Sequence, residues 1–172
     1  MKRMKKIMAL MLAAIMMMAM SVTAFAAEGA TGTHTLTVNV KTTEPAQNLK
    51  GQTINLYKLF DVTESGEAPN KNYAYTVNTQ YKATLASVLK ITENSKDEEF
   101  AAKVTELGKD NTPGVQKFAN DFTATALTSK LSATATSNKI TESKTSYEFT
   151  GLDAGYYLVY VTGGKEIQSS LV

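Results

Sequence analysis

The sequence predicts a mainly β fold, a β-sandwich of two packed sheets with a helical insert of about three short helices. Residues 35–41 alternate strictly between apolar and polar side chains, which is typical of a half-buried strand. From Tyr81 to about Leu127 the apolar residues instead recur every three or four positions, which is typical of helices. Strand character returns from Tyr147 to Val161. Strands, helices and strands again indicate a sandwich in which one connection has grown a helical insert.

The first half of the predicted sandwich contains three strands. In the first of them, Leu36, Val38 and Val40 share one face. The second, residues 52–62, is rich in β-branched and aromatic residues, and residues 72–77 form a short third strand. Residues 64–70 contain Ser, Gly, Pro and Asn, which favour a turn between these two strands.

The helical insert is predicted over about residues 80–128. Pro113 suits the first turn of its last helix, where the missing N–H costs nothing. Residues 131–145 are almost all small or polar and are predicted as an exposed strand or a loop. Residues 166–172 are predicted to add one last strand.

The N-terminus has the pattern of a secretory signal peptide. Four basic residues within Met1–Lys6 precede the apolar stretch Ile7–Met20, and the small residues of Ala24-Phe25-Ala26 follow. The alternative is a transmembrane anchor, but the apolar stretch is shorter than the roughly 20 residues that a spanning helix needs. We therefore expect cleavage after Ala26, an exported protein, and one mature domain over residues 27–172.

Removal of the signal peptide reverses the charge of the chain. Its four basic residues are lost, so 14 of the 18 Lys and Arg remain against 16 Asp and Glu, and the net charge changes from +2 to −2. The mature part therefore offers no basic surface that would favour nucleic acid as a partner. The chain has no Cys and a single His, His34, which we interpret as a solvated side chain. We expect no disulfide, no metal and no cofactor.

The mature sequence contains no catalytic motif. It lacks a nucleophile-elbow pattern and a phosphate-binding glycine loop. The adjacent Glu98 and Glu99 lie in a charged helical stretch and are interpreted as a solvated face. We therefore predict no catalytic residues and a protein that is not an enzyme.

Residues 147–159 read Tyr-Glu-Phe-Thr-Gly-Leu-Asp-Ala-Gly-Tyr-Tyr-Leu-Val. This segment resembles the signature Y-x-F-x-G-L-x-x-G-x-Y-L-V of Gram-positive sortase-assembled pilins and of related collagen-adhesin B-type domains. The resemblance implies an immunoglobulin-like, collagen-adhesin-B-like sandwich. In the signature two strands meet at a tight turn, for which Gly151 and Gly155 are predicted to supply positive φ.

Residues 51–62 and 73–78, together with the helical insert, look similar to the first (D1-type) domain of backbone pilins, the isopeptide-forming fimbrial proteins. The resemblance covers nearly all of residues 33–172. In that family a lysine motif, further domains and an L-P-x-T-G sorting signal follow the first domain. The present sequence contains none of these, and Val172 closes a strand-like segment, so we expect a piece of a longer protein.

The resemblance implies a structural subunit of a covalently assembled pilus on the cell wall, which contributes to adhesion. Its partners would be other pilin subunits and sortase, with no nucleic acid, and no membrane after processing. The alternative is a monomeric secreted or surface adhesin domain that binds a host matrix protein or a glycan. The tyrosines discriminate only weakly between a pilus subunit and an adhesin domain, because they lie in or next to predicted strands, where packing explains them.

The family also implies an intramolecular amide between a Lys and an Asn or Asp. Lys58 is the candidate, because strict alternation places it on the face predicted for the core-facing residues, which are Ile54, Leu56, Phe60 and Val62. The chemistry requires an uncharged amine beside a side-chain carbonyl. The alternative is a Lys58 that snorkels outward or is turned by a bulge. Tyr160 occupies the position at which adhesin-type domains carry an assisting Glu.

Overall fold

A computed structural model of the chain describes residues 21–25, 32, 34–40, 42, 46–67, 72–109, 113–163 and 168–171. These residues form a β-rich mixture of α and β structure. The strands are β1 (Ser21–Phe25), β2 (His34–Asn39), β3 (Thr53–Ser65), β4 (Asn72–Val77), β5 (Ala135–Thr136), β6 (Ser146–Leu152), β7 (Gly155–Thr162) and β8 (Gln168–Leu171). The helices are α1 (Lys82–Leu89), α2 (Asp97–Lys109) and α3 (Pro113–Thr128).

The described strands form two antiparallel sheets. The first has the order β1-β2-β6. The second has the order β4-β3-β7-β8, and β5 pairs with the part of β3 that precedes the β4 pairing. The three helices of the insert lie between β4 and β5 in the chain, so the sequence prediction of three helices in this stretch is correct.

Two sequence boundaries differ from expectation. The predicted turn at residues 64–70 is shorter, because β3 continues to Ser65 through its pairing with Asn72 of β4. The polar stretch 131–145 contributes only the two-residue strand β5, but its backbone is firmly bonded to β3. Thr134 N–H donates to Leu56 O at 2.7 Å and Ser137 N–H donates to Ile54 O at 2.8 Å. Backbone pairing, rather than apolar side chains, therefore holds this stretch in place.

Strands β3 and β7 are the centre of the molecule, because both of their faces are buried. On one face, Leu56 of β3 and Val159 of β7 join buried residues of β2 and β6, so this cluster contains residues of both sheets. On the other face, Tyr57 and Leu158 join the helices. The first cluster comprises Leu36, Val38, Val40, Leu49, Ile54, Leu56, Ile140, Phe149, Tyr157, Val159 and Val161.

The helical insert covers the second face with aromatic side chains. Phe122 of α3 is completely buried and packs edge-on against Tyr57, with ring centroids 5.7 Å apart, and against Tyr81 at 6.0 Å. The Tyr81 hydroxyl donates to Ser132 O at 2.7 Å, which satisfies its polar atom. The insert is thus part of the main core.

The predicted signal peptide lies only partly within the described residues. Ala26, the predicted cleavage residue, and the apolar stretch Ile7–Met20 lie outside them. Ser21–Phe25, directly before Ala26, is strand β1 and pairs with β2. Where the structure describes the chain, none of its helices has both the length and the apolar character needed to span a bilayer.

Candidate functional site

Lys58 lies inside the second sheet, and its side chain is only 9% exposed. It stands opposite Tyr157 of β7, which belongs to the cluster that contains residues of both sheets. The alternation from Ile54 through Leu56 therefore continues to Lys58, as the sequence predicted. The prediction is wrong for Phe60, which packs in the cluster on the other face, and Val62 is only partly buried. Its N–H donates to the Thr134 hydroxyl at 2.9 Å, so the strand is fixed at this residue.

A β-bulge follows Lys58 directly. The register between β3 and β7 shifts between Lys58 and Phe60, and both Leu59 and Phe60 join the helix-side cluster. Two consecutive residues on one face invert the alternation after them. Asp61 consequently returns to the face of Lys58, and its Oδ1 lies 2.5 Å from Lys58 Nζ.

The turn between β6 and β7 supplies a second carboxylate. Asp153 Oδ2 lies 3.5 Å from Lys58 Nζ, while its Oδ1 accepts a hydrogen bond from the Gly32 N–H at 2.8 Å. The Asp153 carbonyl accepts a bond from the Tyr157 hydroxyl at 2.8 Å. One aspartate thus joins the lysine, the β6–β7 turn and the residues before β2. We call Lys58, Asp61 and Asp153 the lysine–aspartate cluster.

The two signature glycines have different physical roles. Gly151 takes a φ of +70°, which a glycine adopts at no steric cost. Gly155 has no positive φ, so the expectation that both glycines serve the turn in this way is wrong for Gly155. A Cβ at Gly155 would lie 2.7 Å from Phe60 O and 2.9 Å from Lys58 Cγ and Cδ. Glycine is required there because the stem of Lys58 passes over it.

The carboxylates of the cluster are open to water, with Asp61 55% exposed and Asp153 47% exposed. Burial, and next the charges of Asp153 and Asp61, raise the pKa of the Tyr157 hydroxyl above its ordinary value. The arrangement is that of an ion pair: a shielded lysine stem ends in an amine between two hydrated carboxylates. An amide of Lys58 stays a prediction, and among the described residues Asp61 and Asp153 are the carboxyl groups within its reach.

Sequence reasoning placed Lys58 correctly but did not single out Asp61 or Asp153. Asp61 would face away from Lys58 in a regular strand, and no residue pattern marks the bulge that turns it back. In the sequence, Asp153 is distinguished only as a polar residue of the turn in the signature segment. In the structure Gly155 pairs with Asp61 and lies under the stem of Lys58, and no residue pattern in the sequence marks this close approach.

A second surface region lies beside the residues that precede β3, where Gly51 N–H donates to Ile140 O at 2.7 Å. An open depression of about 280 Å³ is lined by Lys139, Glu142, Lys144 and neighbouring residues of the β5–β6 connection. Lys144 Nζ and Glu142 Oε2 form an exposed ion pair at 3.1 Å. Within the described ranges no group of three or more His, Cys, Asp and Glu could hold a metal ion.

Two tyrosines are exposed, in contrast to the expectation that packing explains them all. Tyr73 is 54% exposed and Tyr75 is 41% exposed, whereas Tyr57, Tyr81, Tyr157 and Tyr160 are buried. Both lie on β4, whose pairing with the end of β3 forms a ribbon with little cover. Tyr75 keeps one edge-on contact, with Phe60 at 6.5 Å between ring centroids.

No protein-family model matches the chain, and no curated protein matches its sequence.

Proposed function

We propose that the chain is exported and that its mature part is the N-terminal domain of a structural subunit of a covalently assembled surface pilus. One observation carries the proposal: the segment that resembles the pilin signature, residues 147–159, lies at the junction of the two sheets. Its first half is β6 of the first sheet, and its second half is β7 of the other. We infer that the two sheets are the halves of a collagen-adhesin-B-like, immunoglobulin-like sandwich.

The packing of this segment supports a load-bearing role. Among the described strands, β7 forms its register with β3 over the longest stretch, from Thr53–Thr162 to Asp61–Gly155. Both faces of this pair are buried, so the two strands cannot separate without exposing residues of both buried clusters. The lysine–aspartate cluster fastens the end of this pair to the β6–β7 turn. The chain achieves this without Cys, which suits an exported domain that relies on packing.

The proposal is tested by expressing the complete gene in a Gram-positive host with and without a pilus sortase. Cell-wall extracts are boiled in detergent and blotted with antibodies raised against residues 27–172. The expected result is a ladder of detergent-resistant polymers that requires the sortase. A single monomer band in both strains, with the protein in the medium, contradicts the proposal.

The export step has its own measurement. N-terminal sequencing of the secreted or wall-bound chain should start at Ala27, directly after Ala26. Substitution of Ala24 and Ala26 by Leu removes the small residues that signal peptidase needs, and the precursor should accumulate. A chain that starts elsewhere, or that remains inside the cell, contradicts export by this signal.

The exposed tyrosines favour one alternative, a monomeric adhesin domain that binds a host matrix protein or a glycan. Tyr73 and Tyr75 are two positions apart on β4 and therefore share a face, on which aromatic rings can stack on sugars. Saturable binding of the wild-type domain that is lost in Tyr73→Ser/Tyr75→Ser, and kept in Tyr147→Ser, would support it. Equal binding by both variants would contradict a role for β4.

A further inference from the structure

Strand β2 uses both of its edges in the full chain. One edge pairs with β6, where Val40 N–H donates to Thr145 O at 2.9 Å. Successive N–H groups of a strand point to opposite edges, so those of Thr35, Thr37 and Asn39 point toward β1. In the β1 register Thr23 stands opposite Thr37. Cleavage after Ala26, which the proposed function requires, would remove β1 and leave this edge of β2 open.

Both buried clusters, as the structure describes them, consist of residues from Leu36 to Val161, all of which the mature chain retains. The mature chain therefore keeps its described core. What it loses is the hydrogen-bond partner of three N–H groups and of the carbonyls beside them. An open edge of this kind is a template for pairing with another strand.

β2 has the same sequence pattern as β1, the strand that cleavage removes. Residues 21–24 read Ser-Val-Thr-Ala, and residues 35–38 read Thr-Leu-Thr-Val. Both alternate polar and apolar residues in the same phase. If residues 35–39 of a second copy replace residues 21–25 in the observed register, Thr37 of the second copy takes the place of Thr23. Thr37 then stands opposite Thr37, so the observed register becomes a twofold-symmetric one.

β2 also lacks the features that block edge pairing. It contains no Lys, Arg, Asp, Glu or Pro, the residues with which natural edge strands prevent association. A symmetric pair uses the same patch on both copies, which is the commonest form of association between identical chains. Both the register and the composition of β2 therefore suit a second copy.

We propose that export exposes the outer edge of β2 and that the mature chain pairs there, antiparallel, with β2 of a second copy. The resulting four-stranded sheet has the order β6-β2-β2-β6, with the twofold axis at Thr37. The signal peptide segment Ser21–Phe25 occludes this edge until cleavage. The proposal rests on the proposed export but not on pilus assembly.

The first test compares the mass of two purified chains, residues 27–172 and residues 21–172, by sedimentation over a series of concentrations. The shorter chain should form a dimer whose fraction rises with concentration, whereas the longer one, which keeps β1, should stay monomeric. Thr37→Lys in the shorter chain places two like charges opposite each other and should restore the monomer. Thr150→Lys, on β6, is the matched control and should leave the dimer unchanged.

A cross-link tests the register. The chain has no Cys, so Thr37→Cys introduces the sole thiol. Hydrogen-bonded antiparallel partners have Cα atoms about 5.5 Å apart, which a disulfide can bridge. With oxidised glutathione, Thr37→Cys should give a disulfide-linked dimer. Thr150→Cys should not, because three strand spacings of about 4.8 Å separate the two β6 strands.

Three outcomes would overturn the proposal. One is a folded chain 27–172 that stays monomeric throughout the series, and another is equal dimerisation of chain 21–172. The third is a dimer in which Thr37→Cys does not cross-link, which excludes the symmetric register. Circular dichroism of each variant separates loss of pairing from loss of fold. Because purified chains are used, these results do not depend on whether a sortase polymerises the protein.

Discussion

Gly155 is the residue on which the packing around Lys58 depends most directly. Gly155→Ala places a methyl group against Phe60 O and the Lys58 stem, and the backbone oxygen cannot move away without disturbing β3. We expect a loss of about 1–3 kcal/mol in the free energy of unfolding, measured with urea on chain 27–172. Gly151→Asn is the control, because Asn tolerates a positive φ, and it should cost at most about 1 kcal/mol. Equal losses in the two variants would show that steric contact at Gly155 is unimportant.

Lys58 combines a shielded stem with a charged end, and two substitutions separate these parts. Lys58→Met keeps the stem and removes an ion pair with half-exposed carboxylates, so it should change stability by less than about 1 kcal/mol. Lys58→Ala also removes buried methylene groups and should cost about 2 kcal/mol.

Intact mass decides whether Lys58 forms an amide with Asp61 or Asp153. The ion pair predicts the full sequence mass, whereas a wild-type mass lower by one water, absent in Lys58→Met, would demonstrate the amide.

Tyr160 links stability to high pH. Burial, and next the neighbouring Tyr57, raise its pKa from 10.0 to about 12. Tyr160 is neutral in both states below pH 10, so it lowers stability only as pH rises from 10 to about 12, where the unfolded chain ionises first. The contribution of Tyr160 to the pH dependence of the free energy of unfolding approaches about 1.4 kcal/mol per pH unit, which corresponds to the release of one proton on unfolding. Tyr160→Phe should make the urea-derived free energy of unfolding depend less steeply on pH over this range than in the wild type. Equal slopes would argue against burial as the cause.

At the scale of elements, the helical insert belongs to the main core through α3. Phe122 is fully buried between Tyr57 and Tyr81, so Phe122→Ala should destabilise the protein by about 3–5 kcal/mol. Leu127→Ala, on the same helix but 44% exposed, should cost well under half of that. Urea unfolding followed by tyrosine fluorescence measures both. A small effect of Phe122→Ala would mean that the insert packs only loosely on the sheet.

The elements that the sequence predicted well are those with a strong period. Leu36 and Val38 alternate with threonines and give β2 almost to the residue, and Phe118 and Phe122 are four positions apart on α3. The sequence could not predict β5, because Ala135 and Thr136 owe their place to backbone bonds with β3. The lysine–aspartate cluster was half predictable. Alternation identifies Lys58, whereas the bulge that returns Asp61 depends on tertiary pairing with β7.

At the scale of the whole molecule, β3 and β7 contribute to both buried clusters. Leu56 and Val159 lie in one, and Tyr57 and Leu158, their neighbours along the strands, lie in the other. When either face opens, β3 and β7 expose that face to water and keep cover on one side only. We therefore expect the clusters to unfold as one cooperative unit, in spite of the insert between β4 and β5.

Phe149→Ala and Phe122→Ala test this coupling from opposite sides of the second sheet. Phe149 is buried at 7% exposure in the cluster that contains residues of both sheets, and Phe122 is buried among the helices. Each substitution should lower the midpoint temperature of thermal unfolding, and calorimetry should show one transition in which the whole chain unfolds. In the double variant the losses should add within about 0.5 kcal/mol, because the two side chains share no buried cluster. Two separate transitions, one affected by each substitution, would show instead that the insert and the two sheets unfold independently. In that case the sheet formed by β3 and β7 would have to stay folded after the helices leave, with Tyr57 and Leu158 exposed to water.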